Sequence, residues 1–408
     1  MGETIAGLER LGLEYFQDPH AFHARLREHE PATEVVLPRG LKVWLVTRYD
    51  EARMALGDAR FSKDHRQFPD MVTRNHVGEA GPALFDQSLA AHMLNMDAPD
   101  HTRLRRLVTK AFTARRVEQL RPRVAQIADE LLDGVADGAT VDLIDAFAFP
   151  LPITVICEML DVPGDERDDF REWSNVLVSG NDPEAMGQAG PAMAAYLGRL
   201  VQYKRDNPGD DFFSALVHAS EDDDRLTEGE LIAMAFLLLV AGHETTVNLI
   251  SNGVLNLLRH PDQLAALRAD RTLVPGAVEE FLRFQGPVNQ ATFRFTTEDV
   301  EMGNVTIPRH SVVMVSLLSA NRDETRFPDA DSFDITRPPG GHVAFGHGIH
   351  YCLGAPLARL EGEIAVGALL DRFDLALAAE PETLRWREST LMHGLYSLPV
   401  SLTRRGAR

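Results

Sequence analysis

One apolar stretch in the middle of the chain constrains the fold more than any other feature of the sequence. The residues from Leu231 to Gly242 carry no charged or polar side chain. Thr227 and Glu230, just before them, have the Thr-x-x-Glu spacing of a capping box and predict a helix that reaches into the 250s. This helix is apolar on all sides, so it is expected to cross the protein interior. The run is shorter than the roughly 18 residues that a membrane span needs.

Helical periodicity dominates from about residue 50 to about residue 380. Asp97, ahead of Pro99 and Asp100, predicts a further helix start with a side-chain cap. The length of 408 residues suggests two or three domains, but no repeat, low-complexity tract or linker divides the chain. We expect a single domain over residues 1–408, with Gly180–Gly190 as a mobile loop between helices. The predicted strands are few and short, at 43–47, 312–318 and 395–402.

Composition narrows the possible partners. The chain has 41 Lys+Arg and 61 Asp+Glu, a formal net charge of −20, which disfavours binding to nucleic acid or to an anionic membrane. Its cysteines, Cys157 and Cys352, form neither a disulfide framework nor a repeated metal motif. Cys157 lies in an apolar helical run and is expected to serve packing. The N-terminal residues resemble neither a signal peptide nor an anchor, so a cytoplasmic location is expected.

Cys352 lies in the most distinctive segment, Phe345-Gly346-His347-Gly348-Ile349-His350-Tyr351-Cys352-Leu353-Gly354. The glycines allow the backbone to pass close to a flat, bulky partner. A helix predicted to start at Leu353 places the sulfur at its positive end, which favours thiolate and metal ligation. Two alternatives stay open: a glycine-rich turn with a buried cysteine, and a zinc site of His347, His350 and Cys352 that needs a fourth ligand. A nucleotide-binding loop is excluded because position 351 is tyrosine.

The central helix carries a second distinctive segment, Ala241-Gly242-His243-Glu244-Thr245-Thr246. Ala241 and Gly242 leave space beside the helix, and the acid and alcohol next to them can transfer protons. The Thr245 hydroxyl is expected to bond the carbonyl of Ala241, which bends the helix. The alternative is a glycine that serves helix packing alone. A zinc-protease motif is excluded because position 247 is valine.

Together these segments resemble the cytochrome P-450 family, the haem-thiolate monooxygenases. The cysteine segment fills every position of the family's haem loop, Phe-Gly-x-Gly-x-His-x-Cys-x-Gly, and the central-helix segment matches its oxygen-activation motif. The resemblance implies a mainly α fold, with small peripheral β-sheets and haem b buried between the central helix and the cysteine-loop helix. It implies Thr245 and Glu244 as catalytic residues and Cys352 as the axial iron ligand. The other implied haem contacts are Ala241, Gly242, Phe345, Gly346, His350 and Gly354.

The resemblance also implies cationic partners for the two haem propionates, because buried carboxylates need them. The expected partners are His101, Arg105, Arg294 and His350. Each of these residues, taken alone, is more typical of a surface charge.

Glu280 and Arg283 lie three residues apart on a predicted helix and, by themselves, indicate a solvated ion pair of little stabilising effect. The resemblance instead implies a pair that braces the core near the cysteine loop. Family members commonly add an arginine where this chain has Ser332, and Arg337 is a candidate to replace it.

The implied reaction inserts one oxygen atom of O2 into a C–H or C=C bond of a hydrophobic small molecule, such as a macrolide or other polyketide, a terpenoid or a steroid. The alternatives are a peroxide-using haem-thiolate enzyme and a non-catalytic haem sensor. An intact Glu244 and Thr245 pair favours chemistry with O2. By position, the expected substrate contacts are Met93, Leu94, Leu238, Ala241, Val288, Asn289, Ala291, Leu391 and Met392.

The sequence has no motif for binding a flavin, a nicotinamide or an iron–sulfur cluster. The electrons are therefore expected from NAD(P)H through an external reductase and an acidic ferredoxin, and the protein is expected to be a monomer. Between His101 and Arg123, eight basic residues and one acid give a local charge of +7. This basic stretch is either solvated or the docking surface for the ferredoxin. The expected docking residues are Arg103, Arg106, Lys110, Arg115 and Arg116.

Overall fold

Helices dominate the computed structural model, which describes residues 4–5, 7–78, 87–162, 167–179, 183–221 and 224–406. The helices are α1 (Leu13–Gln17), α2 (Pro19–His29), α3 (Tyr49–Gly57), α4 (Phe68–Arg74), α5 (Gln87–Ala90), α6 (Asp100–Ala111), α7 (Ala114–Gln119), α8 (Arg121–Asp133), α9 (Pro150–Met159), α10 (Arg167–Ser179), α11 (Pro183–Asp206), α12 (Phe212–Val217), α13 (Glu228–Arg259), α14 (Pro261–Ala269), α15 (Val274–Gln285), α16 (Leu317–Ala320) and α17 (Ala355–Arg372). Short 3-10 turns lie at Met93–Asn95, Arg271–Leu273, Gly348–His350 and Pro381–Thr383, and a π-helical turn lies at Ile144–Ala148.

The predicted central helix is α13, and its capping box is confirmed. The Thr227 side chain accepts from the backbone N–H of Glu230 at 3.3 Å, and the Glu230 carboxylate accepts from the backbone N–H of Thr227 at 2.8 Å. Helices α9, α11, α15 and α17 pack around α13. Among the described residues it is the one helix with the length and apolarity to cross a membrane, yet 56% of its most apolar stretch is buried inside the protein. It is therefore a core helix, as its all-round apolar surface predicts.

The strands are short and form small sheets. They are β1 (Thr4–Ile5), β2 (Leu8–Glu9), β3 (Ala32–Val36), β4 (Lys42–Val46), β5 (Phe61–Ser62), β6 (Ala139–Asp142), β7 (Ser220–Glu221), β8 (Asp224–Arg225), β9 (Arg294–Thr296), β10 (Val300–Met302), β11 (Val305–Ile307), β12 (Val312–Val315), β13 (Phe373–Leu377) and β14 (Pro399–Arg404). The largest sheet has the order β3-β4-β12-β9-β5, with β4 and β12 parallel and the other pairs antiparallel. A second sheet has the order β13-β14-β6, and the remaining strands pair in twos.

The apolar core is divided between the helical part of the protein and the five-stranded sheet. One large cluster of buried side chains joins the helices around α13, and two smaller clusters cover the faces of the five-stranded sheet. Cys157 is buried in the large cluster, as predicted. The mainly α fold with small peripheral sheets is confirmed.

Two local predictions are wrong. The expected loop at Gly180–Gly190 is helical from Pro183 onward, as the start of α11, and its first three positions lie outside the described residues. Glycine costs about 1 kcal/mol in a helix, but α11 buries Met193 and Leu197 against the core, which outweighs that cost. The strand predicted over 312–318 ends at Val315, because the Ser316 side chain caps the short helix α16.

Candidate active site

Two glycines shape the loop that carries Cys352. Gly346 and Gly348 both have a φ of +73°, which side chains rarely tolerate. A Cβ at Gly348 would lie 2.9 Å from the carbonyl oxygen of Leu56, at the end of α3. The loop closes where the backbone N–H of Cys352 donates to the carbonyl of Phe345 at 2.9 Å. The turn and its approach to α3 therefore already need these glycines, whatever flat partner the loop also accommodates.

Cys352 carries a free thiol just ahead of α17. The backbone N–H groups of Gly354 and Ala355 and the positive charges of Arg105 and Arg359 lower its pKa. The residue is exposed, but the surrounding protein desolvates its sulfur. This desolvation has a larger effect than the N–H groups and the arginines, so the pKa of the thiol is raised above its usual value. The N–H groups at the helix end therefore act in the predicted direction, but desolvation of the sulfur outweighs them.

The zinc alternative finds no support in the described part of the chain, where no three His, Cys, Asp or Glu side chains are placed to hold a metal ion. The two histidines of the loop contact different neighbours. His347 Nε2 lies 3.5 Å from Nη2 of Arg53, whereas the ring of His350 lies 4.4 Å from that of His101 between centroids.

Positive groups converge on His350. Its pKa is lowered to about 2, first by burial and then by the charges around it. In order of effect these charges belong to Lys63, Arg294, His101 and Arg105. The residues expected to bind carboxylates therefore do lie together, and Lys63 joins them without having been predicted.

Among the described residues, the donors of this cationic cluster have no acidic hydrogen-bond partner. His101 is buried, and neither of its ring nitrogens has a hydrogen-bond partner in the described structure. Buried Arg294 donates to the carbonyls of Ala55, Leu56 and Thr292, at 3.1, 3.4 and 3.4 Å. Unpartnered buried donors are costly, so the cluster fits a ligand that brings acceptor oxygens and negative charge. The two propionates of haem have this chemistry.

Asp97 does not cap the helix that follows it. Helix α6 begins at Asp100 without a side-chain cap. Asp97 instead accepts from the Ser62 hydroxyl at 2.5 Å and from the backbone N–H of Lys63 at 3.0 Å. It therefore fixes the end of β5, beside the cationic cluster, and the capping prediction is wrong.

The residues of the Ala241–Thr246 segment lie on two different faces of α13. Thr245 Oγ1 donates to the carbonyl of Ala241 at 2.8 Å, as predicted, and Ala241 is exposed. Gly242 faces α9 instead, because a Cβ there would lie 3.0 Å from Ile156 Cδ1. The helix continues unbroken through these residues. Ala241 and Thr245 thus lie beside open space, while Gly242 has the packing role held open as the alternative.

Glu244 is buried and ion-paired with a residue that the motif does not reveal. Arg387 Nη1 lies 2.9 Å from Glu244 Oε1, and the arginine side chain is partly exposed. Arg387 is itself held by hydrogen bonds to the backbone carbonyls of Gly394 and Leu395, at 2.9 Å from its own N–H and 3.2 Å from Nε. The acid of the motif is therefore held in place by Arg387, whose side chain reaches the surface. The 143 positions between the two residues leave no local sequence signal for this pair.

Glu280 and Arg283 form a buried pair, so the solvated reading of these residues is wrong. They are 3% and 2% exposed and joined by two bonds of 2.7 and 2.8 Å. The arginine also donates to three carbonyls, those of Asn321, Ala330 and Ser332, at 3.0, 2.8 and 3.0 Å. Arg337 approaches Glu280 to 3.5 Å and supplies the second arginine.

This pair connects to the cysteine loop through Asn321. The Asn321 side-chain oxygen accepts from the backbone N–H of Val343 at 2.7 Å, and the Val343 carbonyl accepts from the N–H of Gly346 at 2.8 Å. The chain of bonds from Arg283 thus ends in the turn that precedes Cys352.

The expected substrate contacts divide into two groups. Val288 bridges to Met392, and the N–H of Asn289 donates to the carbonyl of Leu391 at 2.8 Å, so these segments lie side by side. The Asn289 side chain donates to the Tyr15 hydroxyl and is therefore already engaged. Elsewhere Met93 is buried in the large core cluster, Leu94 and Leu238 are half-buried, and Ala291 packs against the five-stranded sheet.

The basic stretch is less positive than its sequence suggests, because acids from other segments neutralise part of it. Arg103 pairs with Asp224 at 3.1 Å and with Glu230. Arg123 pairs with Glu158 at 2.7 Å, and Arg121 pairs with Glu363 at 3.4 Å as well as with Glu118, the acid of the stretch itself. Arg103 is thus already engaged in two ion pairs within the protein. Arg106, Lys110, Arg115 and Arg116 are exposed.

Comparison with known proteins places this geometry in the class of haem-thiolate monooxygenases. The family described as Cytochrome P-450 matches residues 199–400. Cytochrome P-450 107B1 of Saccharopolyspora erythraea is 58% identical over 387 residues, which cover 95% of both chains. Cytochrome P-450 monooxygenase PikC of Streptomyces venezuelae is 50% identical over 400 residues, 97% of this chain and 94% of that one. The tirandamycin C-bound P-450 monooxygenase TamI superposes with a TM-score of 0.90 at 53% identity, covering 97% of this chain and 100% of that one.

The chain belongs to the cytochrome P-450 family. It is therefore a monooxygenase that uses haem iron and O2, and the resemblance drawn from the sequence is confirmed.

Proposed function

We propose that this monooxygenase hydroxylates or epoxidises a hydrophobic small molecule of secondary metabolism, of macrolide, polyketide, terpenoid or steroid type. The observation that carries the proposal is the buried cationic cluster beside Cys352, which fits the carboxylates of a haem. Names of relatives support the substrate class: 6-deoxyerythronolide B hydroxylase of Saccharopolyspora erythraea, mycinamicin IV hydroxylase/epoxidase of Micromonospora griseorubida and vitamin D(3) 25-hydroxylase of Pseudonocardia autotrophica.

The residues present fit haem b. Cys352 offers the thiolate ligand, and His101, Arg105, Arg294 and His350 offer donors to the propionates. When bound, haem supplies an iron whose thiolate ligand favours cleavage of the O–O bond. Phe345 and Gly354 belong to the same loop, whose bonds to Val343 hold the cysteine in place.

Thr245 and Glu244 of α13 are the proton-transfer residues of this proposal. The Thr245 hydroxyl, which donates to Ala241, is free to accept a hydrogen bond and to turn toward a ligand in the open space. Glu244 lies next to it and is held by partly exposed Arg387. A proton can therefore pass from solvent to the acid beside the arginine and then to the alcohol.

The spectrum of the reduced, carbon monoxide-bound protein tests this proposal most directly. We expect the strongly red-shifted band of a thiolate-ligated haem in the wild-type protein. Cys352→Ser should lose that band, whereas Cys157→Ser, at the buried cysteine of the core, should keep it. A wild-type protein without the band, or with zinc and no haem, would exclude this function.

A turnover assay with candidate substrates separates the remaining alternatives. Product that requires O2 and a reductase system supports the monooxygenase. Product formed with hydrogen peroxide alone at a comparable rate would support the peroxide-using enzyme, and haem without any turnover would support a sensor.

We infer that electrons come from NAD(P)H through a reductase and an acidic ferredoxin that docks beside the cysteine loop. Ile349 and Tyr351 are 52% and 41% exposed and present an apolar patch next to Cys352. Helix α7, with exposed Arg115 and Arg116, packs against α17, which follows the cysteine. An apolar centre with a positive rim suits an acidic electron carrier.

Reversing the charge at Arg115 and Arg116 together should slow reduction by ferredoxin about tenfold at low salt and weaken its salt dependence. Stopped-flow absorbance of the haem measures this rate. The matched control reverses Arg74 and Arg309, exposed arginines outside the basic stretch. Equal rates for the two double variants, with several ferredoxins, would place the docking surface elsewhere.

Three further properties are part of the proposal. The large core cluster contains side chains from Leu89 to Leu402, which supports a single domain. The net charge of −20 and the free cysteines support a cytoplasmic monomer. Size-exclusion chromatography with light scattering checks the monomer.

A further inference from the structure

Lys63 is a buried lysine with a single neutral partner. It is 5% exposed, and its ammonium donates to the Thr292 hydroxyl. In the described part of the chain no carboxylate lies within ion-pair distance of it. A lysine ammonium has three donors and is rarely buried unless it is paired with a negative group.

The strand register sets this lysine opposite another cation. Strands β5 and β9 pair Phe61 with Thr296 and Ser62 with Phe295. The next step of the same register brings Lys63 opposite Arg294, and Arg294 is the strongest of the charges that act on Lys63. Like charges on directly opposite strand positions repel each other. An anion between the two side chains would turn this repulsion into attraction.

One carboxylate lies near these basic side chains. Asp97 is the acid whose charge acts on both Lys63 and Arg294. Burial and the charge of Arg294 lower the pKa of Lys63 well below its usual value. A negatively charged ligand beside the two side chains would favour the charged form of the lysine.

We propose that Lys63 binds a haem propionate directly, with the carboxylate held between its ammonium and the Arg294 guanidinium. This inference rests on the proposed function and adds a cofactor-binding residue to it. The role needs no movement of the backbone, because Asp97 already fixes the end of β5 and the Thr292 hydroxyl already orients the ammonium. Removal of Lys63 should therefore weaken the hold on haem and leave the thiolate ligand intact.

The test compares haem retention rather than turnover. Lys63→Met should transfer haem to excess apomyoglobin about tenfold faster than the wild-type protein, because it loses a charge-assisted hydrogen bond. Lys63→Arg keeps the charge and should stay within about twofold of the wild-type rate. Lys42→Met, in β4 of the same sheet and one-third exposed, should not change the rate. Lys63→Gln serves the same comparison if the methionine variant does not accumulate.

Loading each protein with haem dimethyl ester separates binding from structure. The ester has no propionate charge, so wild type and Lys63→Met should release it at equal rates. Faster release of the ester by the variant would show a structural role and overturn the inference, as would equal release of ordinary haem. A wild-type protein without a thiolate-type carbon monoxide spectrum would instead overturn the proposed function itself.

Discussion

Arg283→Lys should lower the free energy of unfolding by about 3 to 5 kcal/mol and leave much of the purified protein without haem. The guanidinium makes five bonds, two to Glu280 and three to backbone carbonyls. Lysine has fewer donors and lacks the planar fork that matches the carboxylate. Glu280 would stay buried with incomplete pairing, and the link through Asn321 to the cysteine loop would loosen.

A surface pair with the same spacing provides the control. Arg121 and Glu118 are also three residues apart and bonded through two nitrogens, but they are 42% and 62% exposed. Arg121→Lys should therefore cost about 1 kcal/mol or less. Urea denaturation gives both unfolding free energies, and the ratio of haem absorbance to protein absorbance gives the haem content. Similar losses in the two variants would refute the bracing role of Arg283.

Thr245→Ala should keep haem and substrate binding but lower the product formed per NAD(P)H by about tenfold or more, with the electrons appearing as hydrogen peroxide. Under the proposed function, the hydroxyl beside the open space supplies a proton to O2, and its removal loses general acid catalysis, which typically contributes 10²-fold or more. Parallel measurements of NAD(P)H consumption, product and peroxide give the coupling.

The adjacent alcohol is a close control for this substitution. Thr246 Oγ1 donates to the carbonyl of Gly242 at 3.3 Å, in the same bonding pattern, but the residue is buried. Thr246→Ala should leave coupling near the wild-type value, and Thr245→Ser should restore most of it. Full coupling in Thr245→Ala would mean that another group delivers the proton.

Local sequence was sufficient wherever the determining contacts are local. The cap formed by Thr227 and Glu230 lies within one turn of α13, and the bond from Thr245 to Ala241 spans one turn of the same helix. The spacing of the residues in the sequence is therefore enough to predict both hydrogen bonds. The glycines of the cysteine loop were also identified, although the turn itself explains them before any partner does.

The parts that were missed depend on contacts between distant segments. Lys63 reaches the cationic cluster through the pairing of β5 with β9, and Arg387 reaches Glu244 from a segment near the C-terminus. Arg103 looked like a free docking charge because the acids that neutralise it, Asp224 and Glu230, lie more than a hundred residues away. Helix α11 was missed because burial against the core outweighed its glycines.

The position of Arg387 has a practical consequence for redesigning the enzyme. Arg387 lies a few residues before Leu391 and Met392, in a segment whose backbone is bonded to itself and to Asn289. Leu391 and Met392 are expected substrate contacts, and substitutions there also act on the segment that holds the partner of Glu244. Variants selected there for new substrates should therefore be assayed for hydrogen peroxide as well as for product. A substitution that admits a new substrate can also lower the product formed per NAD(P)H, because both effects arise in the same segment.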